Sequence, residues 1–563
     1  MDQMPTRKLT IVAQDPGVKV NGRILTTKVE IPSEVLDAGP GGYRVKIIDY
    51  DVSTNTLFKP WKPKPGLKGA QLDPYMNLED KVILGNPRFH AQNVYAIVMR
   101  ILALFESALG RRVSWSFRGH RLHIAPHAFS EANAFYSKRD RALLFGYFPT
   151  RDGLSTVFTC LSHDVIAHET VHALVDGLRE RYTDPSTPDQ AAFHEGFADA
   201  VALLSMFGLE DVVDKVLSSR AMKKLVKSKN IPLSALSKSA LLGLAEQVGE
   251  ELSGIRGMPL RRSIDVHKNK NNLKLPAYSE PHRRGEVFVA AVLHAFLEVW
   301  RQRVRPLSLE SSATRDRVIE EGAEAAANLM TILIRALDYT PPTELTFGDF
   351  LSALLTADRE MFPDDSKYHY RKVLLSSFRS FGINPKSRGN RAEPGIWLPE
   401  KRDELSYDRI HFEFLQRDPD EVFRFLWENR RKLGIHEEAY TEVLSVLPCQ
   451  RVSVDGFVLR ETVAQYFQML TLKKAELRSF GIKEIPEEIE ADQDITIYGG
   501  GSLIFDQRGR LKWHVHKRIH DGKRQQERLF YLVKNGLLDQ DSTQRRFAEM
   551  HRRRMLAIPL AGI

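Results

Sequence analysis

Apolar and polar positions alternate in the manner of strands near the start of the chain, in Lys8-Leu9-Thr10-Ile11-Val12 and Tyr43-Arg44-Val45-Lys46-Ile47-Ile48, with Pro and Gly between them. Residues 1–65 therefore read as a β-rich region, closed by the irregular Lys59-Pro60-Trp61-Lys62-Pro63-Lys64-Pro65-Gly66, which reads as a linker. From Arg88 to about Gly110 the period changes: Val94, Ile97, Val98, Ile101, Leu102, Leu104 and Phe105 recur at helical spacing and predict a long helix with a buried face. Val113 to Phe117 and Leu122 to Ile124 look like strands. Glu131 to Tyr136, followed by Ala142 to Gly146, looks like an edge strand, where an extended peptide could pair with free backbone groups. The same composition suits a plain hydrophobic edge.

Two helices follow in close succession. The first, through Val165, Ile166, Val171, Leu174 and Val175 to about Gly177, can be capped by Ser162 or Asp164; the second follows the loop Pro185 to Asp189, with Asp189 as a suitable cap. Helical runs with exposed lysines over 210–250 lead to a Gly-rich turn at Gly254 to Gly257. An apolar helix spans Val287 to Trp300, another is expected near 314–338, and a third opens at Thr346-Phe347-Gly348-Asp349-Phe350. The polar, Gly- and Pro-bearing stretch from Asn384 to Asn390 suggests a boundary, so 384–400 is assigned as a linker and 401–563 as a further domain. Within that domain Ser502 to Phe505 and Leu511 to Val515 flank Gln507-Arg508-Gly509 as a hairpin. There is no internal repeat or low-complexity tract.

With 563 residues, 42% of them apolar and 27% charged, the chain has room for two to four ordinary globular domains. Its two cysteines, Cys160 and Cys449, are far apart, which excludes a disulfide framework; Cys160 reads as a buried structural thiol. The first residues lack an apolar signal core, and no apolar stretch reads as membrane-spanning, so the expected location is cytoplasmic with no membrane partner. The net charge of +9 is concentrated at the end, where residues 501–563 hold 14 Lys/Arg against 6 Asp/Glu. That basic region, ending in His551-Arg552-Arg553-Arg554, could contact a nucleic acid or an acidic partner weakly, but no nucleic-acid fold signature accompanies it, and a solvated surface is favoured. His514 and His516 share one strand face and could ligate a metal, although a solvated polar face is again the favoured reading.

The candidate chemistry lies in His168-Glu169-Thr170-Val171-His172. Histidines four apart stand on one helix face and can grip one metal ion, and a catalytic zinc adds a third protein ligand while keeping one position open. Glu195, in Phe193-His194-Glu195-Gly196-Phe197-Ala198-Asp199, can supply the third; Asp199, one turn on, faces the same way. Glu169 does not coordinate and is placed to take a proton from a zinc-bound water and pass it to a leaving amine. Asp199 would accept a hydrogen bond from the far nitrogen of a ligand histidine, His168 first.

These two elements resemble the zinc helix and the Asn-Glu-x-x-Ser-Asp element of the thermolysin family of zinc metallopeptidases, the gluzincins, with the likeness extending over roughly residues 88 to 383. The resemblance implies an α+β fold: a thermolysin-like unit over 66–383, with a β-rich N-terminal lobe and a mainly α C-terminal lobe, plus an added mixed α/β domain. It implies that Asn133 and the Ala134 backbone bind peptide and that Tyr182 steadies the oxyanion. It also implies that Arg261, with Arg262 as competitor and Asp265 four on, holds a substrate carbonyl, and that His282 stabilises the tetrahedral intermediate. His194 stands where the family has Asn and Ala198 where it has Ser. Ala277 replaces the acid that supports the catalytic histidine, leaving Glu280 to orient the His282 ring. Met206 replaces a carboxylate of the family's calcium site, so one catalytic Zn2+ is expected and calcium is not.

The expected function is that of a zinc metalloendopeptidase acting on a peptide or protein substrate. The alternatives are a non-catalytic zinc-containing protein that binds through its basic C-terminal domain, and an aminopeptidase on the same fold. Intact Glu169 argues for catalysis, because a structural zinc site needs no base and closes its fourth position.

Overall fold

A computed structural model describes residues 5–16, 19–20, 23–61, 73–75, 78–150, 153–184, 186–217, 230–231, 263, 266–305, 313–400, 404–452 and 458–538. The strand at Thr6–Val12 (β1) pairs antiparallel with Thr26–Pro32 (β2), and a third strand lies at Val45–Ile47 (β3). The predicted long helix is Pro87–Leu109 (α1). Asn86 caps it by accepting Arg88 N–H, Pro87 takes the first helical position, and Gly110 ends it at φ 69°, the left-handed conformation that glycine adopts without strain. By length and composition α1 is long and apolar enough to cross a membrane, contrary to the expectation that no stretch would be. It is instead a core helix, 72% buried within its most apolar window, and its polar face is tied to its neighbours: Asn93 accepts Val12 N–H at 2.8 Å and donates to Cys160 O at 3.0 Å.

Four more strands, Leu122–Phe129 (β4), Ala134–Ser137 (β5), Ala142–Pro149 (β6) and Thr156–Phe158 (β7), complete a sheet in the order β7-β6-β4-β3, with β5 also paired to β6. The β3–β4 and β4–β6 pairs are parallel and the other two antiparallel. The expected edge is thus two strands, of which β5 is the outer one. Val113 to Phe117, expected as a strand, forms no ladder among the described residues; Arg44 holds the Val113 carbonyl.

The helical lobe comprises His163–Leu178 (α2), Pro188–Phe207 (α3), Pro281–Val304 (α4), Arg315–Ala336 (α5), Phe347–Met361 (α6) and Tyr370–Ser380 (α7). α3 is central, packed on α2, α4 and α5. Its crossing with α4 depends on two glycines. A Cβ at Gly196 would lie 3.0 Å from Gly285 O, and one at Gly285 3.0 Å from Ala192 O, so only glycine at both positions lets the helices approach this closely. Phe193, Phe197, Phe288 and Phe350 fill the space beside the crossing, edge to face.

After Pro419–Glu428 (α8), the strands Tyr440–Val452 (β8), Val458–Lys473 (β9), Asp494–Phe505 (β10) and Leu511–Lys517 (β11) form an antiparallel meander, closed by Gly522–Lys534 (α9). The predicted hairpin is β10–β11, pairing Leu503 with His514 and Ile504 with Trp513. The meander has two small cores of its own, but Cys449, Val463, Ile504 and Trp513 belong to the main core, which begins at Leu9. Buried ion pairs reinforce the junction: Asp338 binds Arg111 (2.7 Å) and Arg451, Lys517 reaches Asp349 at 2.6 Å, and Arg524 pairs with Glu344. Divisions at 65 and 400 therefore separate stretches that share a sheet and a core.

Residues 384–400, expected as a linker, lie against α6 instead: Ser387 N–H reaches Ser352 Oγ at 3.0 Å, Trp397 Nε1 donates to Tyr339 O at 3.0 Å, and Ile396 is buried. The expected polar face at His514 and His516 is also corrected, since His514 is buried and bonded through Nε2 to Tyr466 Oη at 2.8 Å. Of the helical run expected over 210–250, Glu210–Leu217 is a helix and Asn230–Ile231 a short strand; the rest of it, the linker beyond Trp61, the turn at Gly254 to Gly257 and the basic tail from 539 to 563 lie outside the described residues.

Candidate metal centre

α2 carries His168, Glu169 and His172, and α3 carries Glu195 and Asp199. The close crossing of these helices brings three donor atoms together within 4.8 Å of one another. His168 Nε2 lies 3.5 Å from Glu195 Oε2, His172 Nε2 lies 3.6 Å from Glu195 Oε1, and the two Nε2 atoms are 2.8 Å apart. A tetrahedral ion with ligands at ~2.1 Å has edges of about 3.4 Å, which the two nitrogen–oxygen distances match while the nitrogen–nitrogen distance is shorter; the two imidazoles and the carboxylate can thus face one zinc ion. Two neutral imidazoles with a carboxylate also match zinc in kind.

The outer atoms of the ligands are held as well. His168 Nδ1 is 2.7 Å from Asp199 Oδ1. A carboxylate there accepts Nδ1–H, which leaves the Nε2 lone pair free for a metal. His172 uses a different partner: its Nδ1 lies 2.7 Å from His194 Nδ1, with the two rings stacked at 4.8 Å. Metal ligation through His172 Nε2 places the proton on Nδ1, so His194 must accept at its own Nδ1 and carry its proton on Nε2. Sequence reasoning saw His194 only as a departure from the family pattern.

Glu169 is fully buried, and its Oε2 accepts the Tyr136 backbone N–H at 3.0 Å. The general-base candidate is therefore fastened to β5, which among the described residues pairs only with β6. Asn133 and Ala134 sit at the start of that strand; Asn133 Oδ1 accepts Ala134 N–H at 2.8 Å, and Ala134 is in register with Phe145 of β6.

His282, at the start of α4, brings Nδ1 to 3.4 Å from Glu195 Oε2. Glu280 does not orient that ring. Its carboxylate caps α4, accepting His282 N–H at 3.0 Å and Arg283 N–H at 2.8 Å. The side chains of Asp199 and His282 are 20% and 11% exposed while those of His168, His172 and Glu195 are at most 2%, so solvent reaches the centre from the Asp199 and His282 side.

Two further expectations are corrected. Tyr182 is buried, and its hydroxyl is 2.7 Å from both Pro341 O and Thr340 Oγ1; it links the end of α2 to the turn before α6 and offers no group to an oxyanion. Asp189 does not cap α3: Thr187 does, with Pro188 at the first helical position, while Asp189 binds Arg284 (2.5 Å) and Phe347 N–H (3.0 Å). At the start of α2, Ser162 takes the cap position as expected, without a side-chain bond to the helix N–H groups; its hydroxyl lies 2.8 Å from Asp15 Oδ2 and 2.6 Å from Asp164 Oδ1. Arg261, Arg262 and Asp265 lie outside the described residues.

No protein-family model matches this chain, and no curated protein matches it.

Proposed function

We propose that this chain is a zinc-dependent metalloendopeptidase of the thermolysin-like kind. One observation carries the reading: the His168 and His172 Nε2 atoms and the Glu195 carboxylate converge on a single point, with Glu169 beside it and bonded to a sheet-edge strand. When bound there, zinc would supply Lewis acidity toward water and toward a peptide carbonyl.

The protein's own groups do the rest. β5 offers an outer edge along which an extended peptide can be added as a further strand, with Asn133 at its start. Glu169 takes a proton from the attacking water and delivers it to the leaving amine, so that one carboxylate serves first as base and then as acid. Its bond to Tyr136 N–H keeps it on the strand that receives substrate. His282, at the exposed rim, donates to the oxygen on which negative charge develops. Asp199 and His194 hold the ligand imidazoles in the required tautomers.

Endopeptidase action fits better than aminopeptidase action, because among the described residues the carboxylates placed at the centre are already committed: Glu195 as ligand, Asp199 to His168 and Glu169 as base. The proposal includes a cytoplasmic location and a peptide or protein substrate.

The test is zinc content and cleavage of a mixed peptide library, for wild type and Glu169→Gln. Retained zinc in both, with internal cleavage in wild type alone, is the expected result. Equal cleavage by both proteins would remove Glu169 from its role, and loss of neither zinc nor activity in His172→Ala would overturn the site.

A further inference from the structure

A second cluster of ligand-type side chains lies in the sheet lobe. His90 comes from α1, His127 from β4, and Cys160 from the 3-10 turn Thr159–Leu161 that leads into α2. All three are buried, and one ring nitrogen of each histidine and the Cys160 Sγ lie within 4.8 Å of one another.

The hydrogen bonds around the pair fix where the protons are. His90 Nε2 faces the Leu84 carbonyl at 2.8 Å, and His127 Nδ1 faces Asp49 Oδ2 at 2.8 Å. A carbonyl and a carboxylate can only accept, so both of these nitrogens carry protons. The inner nitrogens, His90 Nδ1 and His127 Nε2, are then both lone-pair ends, and they stand 2.8 Å apart. Two lone pairs at that distance repel unless a proton or a cation lies between them.

Cys160 supplies what distinguishes a metal from a shared proton, a third donor beside the same point. The outer partners are those a metal site uses: Asp49 and the Leu84 carbonyl fix both tautomers with the inner lone pairs turned to the ion. Asp49 also accepts His127 N–H at 3.0 Å, which holds it in place. Phe158 packs 4.7 Å from the His90 ring and 5.3 Å from His127, and Phe58 lies 5.1 Å from His127, giving an apolar wall.

We propose that His90, His127 and Cys160 form a second metal site, separate from the catalytic one, that takes a thiophilic divalent cation, zinc first. Charge decides the valence. One thiolate and the Asp49 carboxylate together neutralise a dication, whereas a monovalent ion would leave a net negative charge in an apolar interior. On binding, the Cys160 Sγ–H proton and the proton shared by the two imidazoles leave to solvent, no electrons are transferred, and a metal–sulfur and two metal–nitrogen bonds form. The ion would clamp α1, β4 and the segment entering α2, three residues before the zinc helix begins at His163, so its role is to fix the base of the catalytic centre.

Cobalt substitution of the full chain separates the two sites, because only the second contains sulfur. Wild type reconstituted with Co2+ should bind two ions per chain and show a near-ultraviolet sulfur-to-cobalt charge-transfer band. Cys160→Ser and His127→Gln should each bind one ion and lose the band, while His172→Ala should bind one and keep it. Metal analysis of the protein as purified should give two zinc ions; copper in place of the second, lost in Cys160→Ser, would support the site with that ion instead. One cobalt per chain and no sulfur band in folded wild type would overturn the proposal and leave the catalytic assignment untouched.

Discussion

Asp199 Oδ1 stands 2.7 Å from His168 Nδ1, on the side of the ring away from Glu195. Replacing this acceptor with a neutral one weakens the imidazole as a ligand without removing it. Asp199→Asn should lower zinc affinity on the order of 10–100-fold, the usual effect of losing such a partner. Competition with a chromogenic chelator checks this, and Glu169→Gln, which removes no ligand and no partner, is the control expected to bind zinc normally.

His194 makes the matching contact to the second ligand, with its own Nδ1 as acceptor 2.7 Å from His172 Nδ1. His194→Phe keeps the stacked ring and deletes the acceptor; a roughly 10-fold or greater loss of zinc affinity is expected. His194→Asn restores an acceptor oxygen at similar reach and should recover most of it. Equal affinity in the Phe and Asn variants would show that His194 acts through packing alone.

Gly196 separates Glu195 from the rest of α3 at the point where α4 crosses. A methyl group there would stand 3.0 Å from Gly285 O and 3.2 Å from its Cα, both backbone atoms that cannot swing aside. Gly196→Ala should therefore destabilise the fold by about 1–3 kcal/mol, as overpacking does, despite the better helix propensity of alanine. Urea unfolding monitored by circular dichroism measures it, and a neutral or stabilising result would contradict the close crossing.

Acid sensitivity has a named source. Burial alone would push the Asp338 carboxyl up, but Arg111, Arg451 and Arg179 outweigh it and hold it down to about 2. Its folded pKa is thus below the ordinary value near ~4, so its contribution is complete above about pH 4 and is lost as pH falls toward 2. The shift corresponds to on the order of 2 kcal/mol. The urea midpoint of wild type should fall across this window, and the difference between wild type and Asp338→Asn should shrink over the same range. At neutral pH the variant should be several kcal/mol less stable, roughly 3–5, because it leaves buried guanidinium charge unmatched.

The legible parts of this site were those written in local spacing. His168 and His172 lie one helical turn apart, as do Glu195 and Asp199, so the helix period alone placed each pair on one face. The hairpin and the long helices were legible for the same reason. What sequence could not supply were contacts between distant segments: Tyr136 N–H on Glu169, the His194 ring on His172, and His90 beside His127 and Cys160 share no spacing rule. Tyr182 shows the opposite error, since its place in the chain suggested the cleft while its hydroxyl is taken up by Thr340 and Pro341. Asp189 shows how two suitable caps compete: Thr187 stands immediately before Pro188, and that choice frees the aspartate for Arg284. The segment 384–400 has linker composition, yet its backbone bonds to α6, which composition does not report.

The ion pairs across the C-terminal meander also bear on the order in which the chain is made. Asp338, Glu344 and Asp349 are buried carboxylates of the helical lobe, and their cationic partners Arg451, Arg524 and Lys517 come from the last part of the sequence. A nascent chain with the helical lobe already synthesised still lacks these charges; Asp338 keeps Arg111, but Glu344 and Asp349 lack their cationic partners, so burying them carries a larger desolvation penalty until the meander and α9 emerge. Ribosome-bound chains stopped at residue 400 should accordingly be cut by added protease where complete chains resist. Consolidation of the helical lobe then waits on synthesis of the meander and α9.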